Sequence, residues 1–126
     1  MSYTSDQLKA LQRVYNLRNT YKIASVNMSL GGGKYSSHCD RRNPSMTRMV
    51  NKLTSAGIAV VIASGNSSYD GFVGSPSCIK NAVTVGSTMK DDRISSFSNH
   101  ATMVDIMAPG HDIYAGVNHG SWYKNM

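Results

Sequence analysis

The sequence predicts an α/β fold with three layers, in which a doubly wound, mostly parallel β-sheet carries helices on both faces. Three observations lead to this prediction. Helical and strand patterns follow one another in the order helix, strand, helix, strand, strand, strand, which favours a largely parallel sheet. The apolar run Ile58–Ala63 has the length of one buried strand. Gly57 ends the helical pattern before it, so this strand begins at once.

The first two elements are an amphipathic helix and a strand. We expect the helix from about Ser5 to Asn19, opened by a capping box at Thr4–Gln7. Its apolar face is formed by Leu8, Leu11, Val14 and Tyr15. The strand is expected from Ile23 to Leu30.

The second helix has the clearest boundaries in the chain. Asn43 is expected to cap it, Pro44 to occupy its first position, and Gly57 to end it. Its apolar positions recur at helical spacing and are Met46, Met49, Val50 and Leu53. Beyond the central strand, further strands are expected at Ala82–Gly86 and Met103–Met107. Glycine clusters at residues 31–33, 71–74 and 116–120 indicate loops and not domain boundaries, so a single domain is expected.

The composition argues against two classes of partner. The chain has 126 residues and a formal net charge of +6, but its Lys and Arg residues are scattered and form no stripe, so we expect no nucleic-acid binding. Its longest apolar run is far shorter than the about 20 residues of a membrane span, so we expect no membrane partner. The polar stretch Ser2–Lys9 lacks the apolar core of a signal peptide, which indicates a cytosolic protein or one whose front has been removed.

Three separated motifs carry the functional signal. The first is Val26–Gly33, the second is Gly57–Asn66, and the third comprises Phe97–Asn99 and Asp105–Gly110. Functional groups in parallel sheets lie beyond the carboxyl ends of the strands, where Asn66 is expected. In this order the motifs resemble the subtilisin-like serine proteases, the subtilases, over most of the chain.

The resemblance implies a catalytic role for Asn66 and a substrate cleft around it. In subtilases the Asn that closes this strand belongs to the oxyanion hole, so the Asn66 amide would donate to the oxygen on which charge develops. A polypeptide substrate would lie as an added strand between two walls. One wall would be Ser29, Leu30 and Gly31, and the facing wall Ala63, Ser64 and Gly65.

The catalytic Asp, His and Ser of the family have no counterpart in this sequence. The family supplies Asp and His before the first helix, and Ser in a Gly-Thr-Ser-Met motif after the segment that matches Ala108–Gly110. The residues around His38, His100, His111 and His119 do not match those of the catalytic His. The resemblance therefore implies that residues 1–126 are an internal portion of the catalytic domain of a secreted serine endopeptidase, inactive alone. The alternative is a non-catalytic peptide-binding module that kept the cleft and lost the triad.

Three smaller expectations accompany the resemblance. Similar subtilases pair cysteines at comparable places, so Cys39 and Cys78 would form a disulfide, in keeping with an extracellular location; two free thiols are the alternative. The chemistry requires no cofactor. Some subtilases hold a structural calcium ion at the position of Asp105, here with the carbonyls of Lys80 and Ala82; the alternative is that Asp105 only bonds backbone amides. A portion of a parallel sheet exposes an unpaired edge, so the isolated chain would self-associate.

Overall fold

The computed structural model describes residues 3–116 and 124–125. Neither helix in these ranges is long and apolar enough to cross a membrane. In chain order the elements are α1 Thr4–Tyr21, β1 Ser25–Met28, β2 Gly32–Tyr35, α2 Pro44–Ser55, β3 Ala59–Ala63, β4 Val73–Ser75, β5 Val83–Thr88, β6 Ile106–Pro109, β7 Tyr114–Ala115 and β8 Lys124–Asn125.

A four-stranded parallel sheet forms the centre of the fold. Its strand order is β1-β3-β5-β6, and each neighbouring pair is parallel. β2 and β4 form a separate antiparallel pair, and so do β7 and β8. The predicted α/β class with a parallel sheet is therefore confirmed. Within the described residues, β1 and β6 are the edges of this sheet.

The two helices pack against each other and share one apolar core with the sheet. Lys52 of α2 contacts α1 directly, because its ammonium lies 4.1 Å from the centre of the Tyr15 ring and 3.4 Å from Gln12 Oε1. A helical layer on the second face of the sheet stays a prediction. The fully buried side chains of α2 and β3 in this core are Met46, Val50, Leu53, Val60 and Ile62.

Helix α1 begins earlier than predicted, and its expected capping box is wrong. Tyr3 occupies the N-cap position, and no side chain caps the helix. Thr4 already has helical geometry, so its hydroxyl is one position too late to serve as the cap. The helix ends at Lys22, which adopts the left-handed conformation with φ 49° and donates its N–H to the Arg18 carbonyl.

Helix α2 has the predicted N-cap position but not the predicted cap bond. Pro44 is its first residue and Asn43 its N-cap, as expected. The Asn43 amide instead donates to Ser75 Oγ at 3.5 Å, on the strand pair β2–β4. At the other end, Gly57 has φ +81°, a conformation that favours glycine, and β3 follows directly.

The strands differ from the sequence prediction mainly at their ends. β1 is shorter than Ile23–Leu30, and β5 continues beyond the predicted Gly86 to Thr88. β6 begins at Ile106 and not at Met103. The glycine run 31–33 was expected to be a loop, but residues 32–35 form β2. This strand was not predicted because a segment rich in glycine has no alternating side-chain pattern that identifies a strand.

A disulfide between Cys39 and Cys78 links the loop before α2 to the segment before β5. The two Cα atoms are 5.4 Å apart, and both side chains are buried. The Cys39 N–H also donates to the Cys78 carbonyl at 3.1 Å. The predicted disulfide is present.

Candidate active site

A cavity of about 210 Å³ opens where the strands of the parallel sheet end. Segments that follow β1 and β3 and the ends of β5 and β6 contribute to its wall. This is the edge at which α/β sheets bind ligands. Its lining is Asn27, Ser29, Val61, Ile62, Ala63, Ser64, Gly65, Asn66, Val85, Gly86, Ser87, Ser98, Ala108, Pro109 and Gly110.

Asn66 lies at this cavity with its side chain exposed. Within residues 3–116, its amide makes no hydrogen bond to another group of the chain. Gly65, just before it, has φ +111°, so the chain turns sharply as it leaves β3. The carboxamide is therefore available to donate to a ligand in the cavity.

The structure brings together most of the predicted cleft residues. Ser29 from one predicted wall lines the same cavity as Asn66, and so does the facing wall, Ala63, Ser64 and Gly65. Leu30 and Gly31 lie outside this lining. Leu30 borders a separate groove between α1 and β1.

The glycine run beside the cleft contacts another strand of the same chain. A Cβ at Gly31 would lie 3.1 Å from the Ser75 carbonyl oxygen, and Gly32 pairs with Ser75. The resemblance implies that an extended substrate lies against Gly31, where the absence of a side chain would allow a close approach. On this side β4 makes the close approach instead, so a peptide would have to approach Gly31 from another direction.

Among the described residues that line it, the cavity has hydrogen-bonding groups but no titratable side chain. Ser87 and Ser98 supply hydroxyls, and Ser98 Oγ accepts the Ser87 N–H at 2.9 Å. Ser87 Oγ is 2.7 Å from Ser95 Oγ. As described, this site can bind and polarise a carbonyl group, but it has no acid or base to transfer a proton.

The described histidines lie outside the cavity lining and have other partners. His38 Nδ1 is 3.2 Å from the Cys78 carbonyl, and His100 Nε2 is 3.2 Å from Asp70 Oδ1. His111 stacks on Phe97 with ring centres 5.8 Å apart. His119 falls outside the described residues.

Asp105 links β5 to the segment before β6. Its Oδ2 accepts the Thr84 N–H at 2.7 Å, and its own N–H donates to the Thr84 carbonyl at 2.9 Å. Across residues 3–116, no group of three or more His, Cys, Asp or Glu side chains is arranged to hold a metal ion. One carboxylate oxygen of Asp105 is thus committed to the backbone, and the calcium site with Lys80 and Ala82 stays a prediction.

Sequence reasoning missed the role of Asn99. The residue stood within the Phe97–Asn99 motif, but no function was predicted for it. In the structure Asn99 is buried directly beneath the turn that carries Asn66. Asn99 lies in a serine-rich segment at least 30 residues after the turn, and no sequence pattern indicated that the two would be in contact.

Comparison with known proteins identifies the relatives of this chain. A family model described as the subtilase family matches residues 1–126. Proteinase T of Parengyodontium album is 38% identical over 82% of this chain and 32% of its own length. An extracellular serine proteinase of Thermus sp. (strain Rt41A) is 36% identical over 86% of the chain and 23% of its own length. The chain thus spans about a third or less of these relatives.

Two solved structures are similar in fold. A cold adapted subtilisin-like serine proteinase matches with a TM-score of 0.71 and 29% identity, covering 100% of this chain and 42% of that protein. The prenylagaramide maturation protease PagA matches with a TM-score of 0.80 over 99% of this chain and 44% of that protein. At 18% identity, the second likeness concerns the fold alone.

Proposed function

The chain belongs to the subtilase family, and from this premise we propose that it is an internal portion of the catalytic domain of a secreted serine endopeptidase. One observation carries the proposal. The exposed Asn66 amide, without a partner among the described groups, lies at a cavity beyond the strand ends. A free donor held there is what a carbonyl oxygen that gains negative charge requires.

In the proposed reaction the intact enzyme hydrolyses a peptide bond through an acyl-enzyme. A serine from outside this chain attacks the carbonyl, a histidine accepts the serine proton and gives it to the leaving amine, and an aspartate orients the histidine. Water then attacks the acyl-enzyme, with the same histidine as the base, and releases the second product and the free serine. Asn66 Nδ2 donates a hydrogen bond to the carbonyl oxygen as the tetrahedral intermediate forms. The donor is held in place before the reaction, so little reorganisation is needed when the charge develops.

The same portion would bind the polypeptide substrate. Ser29, Leu30 and Gly31 would pair with an extended peptide on one side of the cleft, and Ala63, Ser64 and Gly65 would face it. The apolar part of the cavity, formed by Val61, Ile62 and Val85, would accept a side chain of the substrate. The described part of the cavity lining includes no titratable group, which supports our expectation that this chain alone does not cleave peptides.

The decisive experiment uses the full reading frame that contains this chain. If it encodes Asp, His and Gly-Thr-Ser segments, the full-length protein should hydrolyse a chromogenic peptide, and Asn66→Ala should lower kcat with little change in KM. We expect a loss of about 10²- to 10³-fold, a value measured on subtilisin itself, which belongs to the same family. Asn16→Ala is the matched control, because the exposed Asn16 side chain bonds Gln12 on α1 and lies outside the cavity lining.

Two results would contradict the proposal. Unchanged kcat in Asn66→Ala would remove this residue from the mechanism. A reading frame without the triad segments, together with binding of extended peptides by this chain, would favour the non-catalytic module instead.

The extracellular location is part of the proposal and is supported by two observations. One relative is named an extracellular serine proteinase. The Cys39–Cys78 disulfide suits an oxidising compartment. Detection of the full-length protein in the culture medium of its source cells would test this, and its retention in the cytosol with reduced cysteines would contradict it.

We also propose that calcium stabilises the chain through Asp105. One oxygen of this carboxylate bonds the Thr84 N–H, and the second oxygen, with the carbonyls of Lys80 and Ala82, would provide the oxygen ligands that calcium prefers. Thermal unfolding with increasing calcium should show a rising Tm. Asp105→Asn keeps an acceptor for Thr84 but lowers the charge, and it should abolish the rise. A Tm independent of calcium would refute the site.

The open edge β1 supports self-association of the isolated chain. In the described residues β1 pairs on one side, with β3, and its other side leaves backbone groups free to accept a strand from a second copy. Light scattering at increasing concentration should therefore show dimers or larger species. A monomer at high concentration would contradict this proposal without affecting the role of Asn66.

A further inference from the structure

The buried side chain of Asn99 binds the turn that carries Asn66 from both sides. Asn99 Nδ2 donates to the Ser64 carbonyl at 3.1 Å, before Asn66. Asn99 Oδ1 accepts two backbone N–H groups after it, from Ser67 at 2.9 Å and from Tyr69 at 3.1 Å. The Asn99 amide thus bonds the backbone on both sides of Asn66 and makes no hydrogen bond to Asn66 itself.

The backbone of Asn99 adds two more bonds to the same turn. Its N–H donates to the Gly65 carbonyl at 2.8 Å, and its carbonyl accepts the Ser64 hydroxyl at 2.8 Å. The Asn99 side chain is 1% exposed. Both polar atoms of this buried amide are hydrogen-bonded. A flipped orientation would break these bonds and leave buried polar groups unsatisfied.

Gly65 shows how closely Asn99 fits this turn. A Cβ at Gly65 would collide with the Asn99 amide nitrogen. Two residues beyond Asn66, Ser68 has φ +56°, a conformation uncommon for residues other than glycine. The turn therefore has an unusual backbone path, and the network around Asn99 holds it in that path.

We propose that Asn99 is a positioning residue, which fixes the 64–69 turn so that the Asn66 amide faces the cavity. Asn66 has no side-chain bond of its own in the described structure, so the direction of its amide depends on the backbone at its two flanks. Donors to a developing oxyanion must be held within about 0.5 Å of the productive geometry. This inference rests on the proposed oxyanion role of Asn66.

The first test uses this chain and needs no catalytic activity. Amide hydrogen exchange at Ser67 and Tyr69 is measured in the wild type, in Asn99→Ala and in Val50→Ala, a core variant of α2 outside the cavity lining. After correction for global stability, Asn99→Ala should exchange these amides at least tenfold faster, and the NMR signal of the Asn66 side chain should shift. Val50→Ala should change neither. Unchanged corrected exchange in Asn99→Ala would overturn the proposal.

A second variant covers the case in which Asn99→Ala does not fold. Asn99→Asp keeps an oxygen acceptor for the Ser67 and Tyr69 N–H groups and loses the donor to the Ser64 carbonyl. We expect these two amides to stay protected while the Asn66 side-chain signal shifts through the freed Ser64 flank. Wild-type signals for Asn66 in this variant would contradict the positioning role.

The second test separates positioning from general stability in the full-length enzyme. Asn99→Ala should lower kcat at least tenfold with less than a twofold change in KM, at a temperature where the variant is fully folded. Combined with Asn66→Ala, it should cause little further loss, because a positioning residue acts through the group it positions. Fully additive losses would overturn the proposal.

The two tests distinguish failure of this inference from failure of the proposed function. If Asn66→Ala leaves kcat unchanged, the oxyanion role fails whatever Asn99 does to the turn. If Asn66→Ala lowers kcat but Asn99→Ala does not, the oxyanion role stands and the positioning role of Asn99 fails.

Discussion

Two loops of this chain are fixed to the fold by different physical means. The turn at residues 64–69 is held by hydrogen bonds to the buried Asn99 side chain. The loop before α2 is held by the disulfide between Cys39 and Cys78. The disulfide and the hydrogen bonds restrict different properties of the chain. A disulfide limits the conformations of the unfolded chain, whereas a network of hydrogen bonds also determines the direction in which each backbone group points.

The two loops also differ in their relation to the candidate site. The 64–69 turn carries Asn66, whose amide must point into the cavity to act as proposed. Around Cys39, Ser36, Ser37 and Arg42 are exposed, and none of them lines that cavity. We therefore expect changes to the disulfide to affect stability and changes to the turn to affect the geometry of the site.

Removal of the disulfide should give the largest change in stability. On the chain-entropy account, whose mechanism is disputed, Cys39→Ala with Cys78→Ala should lower the free energy of unfolding by about 4 kcal/mol, because the separation of the cysteines is 39 residues. Urea unfolding measures this, with Ser37→Ala as the control in the same loop. Under conditions where the double variant is folded, the NMR signals of the Asn66 side chain should keep their wild-type positions. A shift as large as that in Asn99→Ala would refute the division of roles.

Gly65→Ala should have a smaller effect on stability and a larger one on the site. Gly57 provides a matched control, since its φ is +81° and a Cβ there would meet nothing within 4 Å. Gly57→Ala should therefore cost about 1 kcal/mol for its conformation alone. Gly65→Ala adds a collision with the Asn99 amide, so we expect at least twice that loss and a shifted Asn66 signal. Equal losses in the two variants would show that the contact with Asn99 relaxes freely.

The sequence was sufficient to predict the elements that strong local signals define. Pro44 and Gly57 gave the ends of α2 within two residues, and the apolar run identified β3. β2 was missed because its glycines carry no pattern of alternating side chains. The predicted capping box was wrong because the sequence does not show whether a hydroxyl residue is the N-cap or the first helical residue, and Thr4 is the latter.

The candidate site was predictable in part for a similar reason. Asn66 and the segment before it follow a recognisable strand, and they do lie together at the cavity. Leu30 and Gly31 lie outside its lining, since the chain turns away into β2 after Ser29. The contribution of Asn99 depends on a contact between residues more than 30 positions apart, which no local pattern encodes.

The turn between β5 and β6 illustrates a third and weaker means of fixing a loop. Arg93 Nε lies 2.7 Å from Asp91 Oδ2, and the side chains are 75% and 51% exposed. The side-chain hydrogen bond from Arg93 holds the pKa of Asp91 below its ordinary value of 3.8. The pair therefore contributes stability above the unfolded-state pKa of Asp91, and that contribution is lost as pH falls through the lowered folded-state pKa.

Loss of this exposed pair should have the smallest effect of the three. Water and salt screen such a pair, so Arg93→Ala should change the urea midpoint at neutral pH less than Gly57→Ala does. Any difference from the wild type should shrink in 1 M NaCl, where the screening length is about 3 Å, and should disappear at a pH low enough to protonate Asp91. A loss as large as that of Gly57→Ala, or one that persists in high salt, would show that this ion pair fixes its loop as firmly as a buried contact does.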